Sequence, residues 1–204
     1  MELVPKPHKS HADRKRIEYL LAVLMDGYVA TMDCPAACIT EELMATFPDA
    51  VVIATTRDPK SWWKSMEYVH KLTANLYMPL LLVFVPRVRK YFYWLRAFRQ
   101  LAHWRYGSDV FDQDGIVIHE NYLRKVVPPE KLFWYEVKSG WDPLCKILNV
   151  PVPDVPFPHN NSKTEAQKTH DELVWAGCFA WMVVLVGTVV GVTLLMKFKT
   201  WVVQ

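Results

Sequence analysis

Apolar positions along the chain fall into runs of different period, and each period predicts a different element. Behind a polar stretch, "MELVPKPHKSHADRKR" (1–16), Ile17 to Met25 repeats at helical spacing and stops at Asp26-Gly27. Tyr28 to Met32 reads as a short strand. Pro35 suits the first turn of the next helix, whose Ala37, Ile39, Leu43, Met44 and Phe47 would cover a sheet until Pro48-Asp49 ends it. Val51 to Thr56 is continuously apolar and β-branched, the pattern of a strand covered on both faces. Asp58 is then placed to cap a helix with Pro59 at its first position. After a turn at Asp112-Gln113-Asp114-Gly115, His119-Glu120-Asn121-Tyr122 falls on a helix ended by Pro128-Pro129. Leu132 to Val137 is a third strand, and Gly140 opens a helix from Trp141 to Leu148. Strands alternating with helices predict an α/β class with a largely parallel sheet. Three strands are few for such a sheet, so one is expected to be missing.

Two runs have no place in that sheet. Leu173 to Met196 carries no charged side chain, and as a helix it would reach roughly 36 Å, enough to cross a hydrocarbon core. A core helix this long would show a polar face, so a transmembrane helix is the expectation for 173–196, with a linker at 162–172 and a short tail at 197–204. No signal-peptide pattern opens the chain, which predicts a single-pass C-terminal anchor and a cytosolic domain. Lys197 and Lys199 run against that orientation under the positive-inside tendency. The second run, Leu76 to Val85 around Pro79, is too short to span and is expected to be part of a helical lid at 68–108.

Charge changes the reading of that lid. The formal net charge is +3, but Tyr68 to Ser108 holds no acidic residue and carries Lys71, Arg87, Arg89, Lys90, Arg96, Arg99 and Arg105 among Tyr91, Phe92, Tyr93, Trp94, Phe98 and Trp104. Cations beside large aromatics suit anionic lipid headgroups, and membrane lipid is the expected partner in place of nucleic acid. Cys34, Cys38, Cys145 and Cys178 lack a zinc-site spacing, so no metal is expected and the thiols read as free. Asn160-Asn161-Ser162 is a glycosylation sequon, silent if the domain is cytosolic.

The candidate chemistry sits where Val51–Thr56 hands over to its helix. Ligands of an open α/β sheet bind where strand carboxyl ends meet helix N-termini. Arg57 leaves such an end, Ser61 and Ser65 recur on one helical face behind it, and the helix start turns free N–H groups to the same space. A phosphate would be served there; a capped helix with a surface ion pair is the equal alternative. Asp33 reads as an N-cap on the helix of Pro35. His119 and Glu120 lie on a helix that favours a surface position.

"DCPAACITEELMATFPDAVVIATTRDPKSWWKSM" resembles the middle of P-loop-type sulfotransferases, in the fungal and animal branch with an Asp-x-Pro-Ala stretch and an Arg-Asp-Pro-x-x-Trp-Trp-x-Ser stretch. "KLFWYEVKSGWDPLCKILNVPVPDVPFPHNN" resembles that branch's C-terminal portion, so the likeness runs from about Asp26 to Asn161. It implies an incomplete P-loop-like three-layer fold at 17–161, and 3′-phosphoadenosine 5′-phosphosulfate as sulfuryl donor. It further implies that Arg57 and Ser65, with Ser61 between them, hold the donor's 3′-phosphate and that Asp33 is the catalytic base, with His119 and Glu120 as alternative bases; Asn160 and Asn161 would then approach the nucleotide. The glycine loop that such proteins use for the 5′-phosphosulfate has no counterpart upstream of Ile17, where Lys9-Ser10 is a slight match. Two functions are therefore expected in competition. One is sulfuryl transfer to a hydroxyl of a small apolar acceptor, such as a secondary metabolite; the other is a non-catalytic tail-anchored protein that binds a partner or lipid surface.

Overall fold

The computed structural model describes residues 10–73, 77–107, 112–158 and 163–202. The chain divides into two compact units, one of residues 1–66 and 95–158, the other of 67–94 and 159–204.

In the first unit, α1 (His11–Leu24) starts ahead of Ile17 because Ser10 and Asp13 cap it reciprocally. The Asp13 amide donates to Ser10 Oγ at 3.2 Å, and the Ser10 amide donates to Asp13 Oδ2 at 3.0 Å. The strand expected at Tyr28–Met32 is irregular chain instead, with Val29 and Met32 exposed. Left-handed backbone bounds it, φ 80° at Gly27 and 61° at Asp33, and no strand among the described residues pairs with it. A 3₁₀ turn (Ala36–Ile39) and α2 (Thr40–Thr46) take the place of one continuous helix after Pro35.

The described sheet is two parallel strands, β1 (Val52–Thr55) and β2 (Leu132–Tyr135), in register from Val52↔Leu132 to Thr55↔Tyr135. The Thr56 amide extends the ladder by donating to the Tyr135 carbonyl at 2.9 Å. Parallel pairing demands a long crossover, which begins with α3 (Pro59–Thr73) and ends with α6 (Gly115–Val126). Ala54 is the buried residue of β1, packed with Leu123 and Val127 under Met44 of α2. Its neighbours are only half-buried or exposed, short of the two-sided cover that the run Val51–Thr56 predicts, since a two-stranded sheet leaves both outer edges open.

A second apolar cluster joins Cys38 to Phe98, Leu101 and Ala102 on α5 (Tyr91–Tyr106). Against β2, α7 (Trp141–Leu148) runs from Gly140 at φ 71° to a left-handed Asn149. The proline-rich segment after it is strapped down at Trp141, whose indole N–H donates to the Val155 carbonyl at 2.9 Å and whose ring meets Phe157 at 4.7 Å.

The second unit is built on α4 (Tyr77–Leu81) and α8 (Lys163–Val202). Residues expected to form a linker at 162–172 are helical from Lys163, supported by a Lys168–Glu172 pair at 3.9 Å and a Gln167–Asp171 hydrogen bond at 2.8 Å. Thr164–Lys199 is long and apolar enough to cross a membrane; its most apolar 18 residues have a mean hydropathy of 2.4, and none of them is buried.

Candidate functional site

At the carboxyl end of β1, Thr56 and Arg57 diverge. The Thr56 hydroxyl donates to Glu120 Oε1 at 2.6 Å, so α6 is tied to the strand end. Arg57 turns outward, exposed, and its Nη2 donates to Ser61 Oγ at 2.9 Å. As the sequence predicts, Asp58 caps α3, its Oδ2 accepting the Ser61 amide at 2.7 Å. The cap has a cost for anion binding: a carboxylate already occupies one of the free amides at the helix start, and an incoming phosphate must compete with it. Ser65 lies one turn beyond Ser61, its side chain exposed and without a hydrogen bond among the described residues. Arg57 and Ser61 are thus brought together, with Ser65 following on the same helix.

Asp33 stands apart from that group. It is exposed, its Oδ1 accepts the Cys34 amide at 2.7 Å, and its carbonyl accepts the Ala37 amide at 2.9 Å. It therefore organises the turn into Ala36–Ile39 and makes no hydrogen bond or ion pair with Arg57, Ser61 or Ser65 among the described residues. Of the slight Lys9-Ser10 match, Ser10 serves as the cap of α1, and Lys9 lies outside the described residues. Asn160 and Asn161 lie outside them too.

A polar group that local pattern underrates gathers on one face of α6, where His119, Tyr122 and Leu123 follow helical spacing. His119 Nδ1 is 2.9 Å from the Tyr106 hydroxyl, which also lies 3.7 Å from Cys38 Sγ. Burial pushes the His119 proton affinity down, and Glu120 beside it offsets that only in part. Burial also pushes the Tyr106 hydroxyl up, with Cys38 next in effect, so the phenol keeps its proton. The imidazole is then neutral, and which of Tyr106 and Nδ1 donates follows its tautomer, since the phenol also has the Ala37 carbonyl at 3.4 Å and Cys38 Sγ as acceptors. The Cys34 thiol hydrogen-bonds to Cys38, which pushes Cys34 up and Cys38 down.

Beside this chain, Arg105 is almost fully buried and forks between Glu41 at 2.9 Å and Glu42 at 2.6 Å. Tyr122 is pushed up to about 12, chiefly by burial. Glu41, Arg105, Tyr122, Lys125 and Val126 line an open groove of about 450 Å³. His119 and Glu120, expected to be at the surface, are half-buried because α6 packs on β1. The sequence signal for this is the apolar spacing of Leu123, Val126 and Val127 around them.

The geometry offers an anion a guanidinium, a hydroxyl and a helix start at a strand end, where Thr56 also holds the carboxylate of Glu120; Asp33 stands apart from them. Comparison with known proteins narrows what such a site is used for. A family model described as "Sulfotransferase domain" matches residues 3–166. The Ava biosynthesis cluster protein M of Aspergillus versicolor is 30% identical over 159 residues, 74% of this chain and 61% of that protein. The chain thus spans about three fifths of the length of this curated relative.

Proposed function

The chain belongs to the sulfotransferase domain family, and from that premise we propose that it binds 3′-phosphoadenosine 5′-phosphosulfate and serves sulfuryl transfer to a hydroxyl of a small apolar acceptor. The observation that carries the reading is Arg57, exposed at the end of β1 with its guanidinium on Ser61 at the start of α3. Arg57, Ser61 and Ser65 fit a phosphate in charge and donor type, and they would hold the nucleotide's 3′-phosphate. The donor supplies the sulfuryl group. This chain's residues bind and orient the donor, and Asp33 would take the acceptor's proton as base. The biosynthetic cluster named for the Aspergillus relative supports an acceptor from secondary metabolism.

Titration with adenosine 3′,5′-bisphosphate, the donor's sulfate-free product, tests the nucleotide site. A hydrogen bond to a charged group contributes about 1.5–3 kcal/mol, so Arg57→Ala should weaken binding by about tenfold or more. Equal affinity in the two proteins would remove the assignment.

The second part of the reading is membrane attachment. An apolar helix with none of its most apolar stretch buried has no place in the described core, and a bilayer would cover it. Alkaline carbonate extraction of membranes from cells expressing the chain should leave it in the pellet; release into the supernatant would refute a spanning helix. A membrane-attached chain that fails to bind the nucleotide would favour the competing function, a non-catalytic membrane protein.

A further inference from the structure

Within the unit that carries α8, the segment from Tyr77 to Phe84 is bound to the apolar part of that helix. Trp181 donates its indole N–H to the Leu80 carbonyl at 3.1 Å, and its ring meets Phe84 edge-on at 4.8 Å. Gly177 gives the closest approach: a Cβ there would lie 2.5 Å from Leu81 Cγ and 2.9 Å from the Leu81 carbonyl oxygen. Met78 and Leu82 are buried. Gly177 and Trp181 belong to the uncharged run that begins at Leu173, and Trp181 lies roughly 12 Å along the helix from there. If α8 spans a bilayer, Gly177 and Trp181 lie roughly 6 and 12 Å inside the uncharged run, so Leu80–Phe84 is held among the acyl chains below the headgroups.

Three further observations suit that location. The backbone bonds itself in short turns, Val85 to Leu82 at 3.0 Å, Arg89 to Val85 at 3.0 Å and Tyr91 to Val88 at 2.9 Å. A segment in contact with lipid must satisfy its amides internally in this way. Its outward side is apolar and aromatic, with Leu80 65% and Tyr93 76% exposed, and amphipathic aromatics favour the membrane interface. Finally, Arg87, Arg89 and Lys90 follow the apolar turn directly, and among the described residues no carboxylate pairs with them.

We infer that Tyr77–Trp94 is a second membrane contact, lying in the interface beside the α8 span and binding anionic phospholipid headgroups through Arg87, Arg89 and Lys90. The inference rests on α8 being a bilayer span. An acidic protein partner would account for the three cations, but it would leave unexplained why apolar residues beside them are fastened to a membrane-length helix. Together Gly177 and Trp181 fix the depth of the apolar turn, and the long side chains of the three cations after it reach outward to the phosphates.

The test uses the full chain in lipid nanodiscs, either wholly phosphatidylcholine or with roughly a third phosphatidylserine, and reads amide hydrogen exchange over residues 77–94. Basic residues near an anionic surface act additively, so exchange over 86–94 should be about tenfold slower in the anionic discs. The triple change Arg87→Gln, Arg89→Gln, Lys90→Gln should abolish that difference while the chain stays in the carbonate-washed membrane. Gly177→Leu should speed exchange over 80–85 in both lipids, because it forces Leu81 off the helix. Retention in carbonate with exchange indifferent to lipid charge would overturn this inference and leave the span intact. Release by carbonate would overturn the span and this contact with it. Free phosphate reproducing the slowing in neutral discs would show an anion site independent of the membrane, and would likewise overturn the inference.

Discussion

At the scale of single residues, the strongest chemical constraint is the neutral imidazole of His119. Burial lowers its proton affinity in the folded chain, whereas in the unfolded chain it titrates near pH 6.5. Just below that pH the unfolded state therefore binds more protons than the native one. Stability should fall as pH drops from about 6.5 towards the native value, at no more than about 1.4 kcal/mol per pH unit for one group. His119→Gln keeps an acceptor for the Tyr106 hydroxyl but cannot titrate. Thermal melts in mild detergent should show this part of the acid loss flattened in the variant. An unchanged slope would assign the acid sensitivity to other groups. The same residue marks a limit of local pattern. His119 is partnered by Tyr106, and Glu120 by Thr56 from across the crossover, so neither contact leaves a trace in the spacing around residues 119 and 120.

Among the elements, the start of α3 carries two opposed demands. Asp58 stabilises the helix by accepting the Ser61 amide, and its charge opposes any phosphate drawn to the same amides. Removing the cap with Asp58→Ala should lower stability by about 1 kcal/mol, read as a lower melting temperature. Adenosine bisphosphate affinity should hold or rise in that variant, because the amide is released and a like charge is gone. Arg57→Ala should show the opposite pair of effects, since Arg57 is exposed and bonds only to Ser61 in the described structure. Parallel loss of affinity and stability in Asp58→Ala would place the nucleotide elsewhere. This cap was legible from Asp58-Pro59 alone, as were β1, β2 and α7, whose signals lie within a few residues. Tyr28–Met32 misled because its aromatic and β-branched residues satisfy local strand preference while strand formation also needs a partner, and left-handed residues close both of its ends.

For the whole molecule, the decisive question is which solvent α8 meets, and a single charge separates the answers. Val186 lies near the middle of the run from Leu173 to Met196 and is 57% exposed within the chain. In water, an exposed valine on a helix can become arginine within about 0.5 kcal/mol, and the loss of apolar surface should make the protein more soluble. At the centre of a bilayer the same side chain costs about 2.5–3.5 kcal/mol, enough to shift insertion by roughly a hundredfold. Val186→Arg should therefore reduce the carbonate-resistant fraction and send the chain to aggregates or degradation. Glu165→Arg, on the polar turns of the same helix, should leave that fraction unchanged. A Val186→Arg protein that expresses better and stays out of the membrane pellet, as the parent then would too, would make α8 a water-exposed helix. The opposite signs follow from one physical difference: arginine keeps its hydration at an aqueous surface and must drag water or headgroups inward at mid-bilayer.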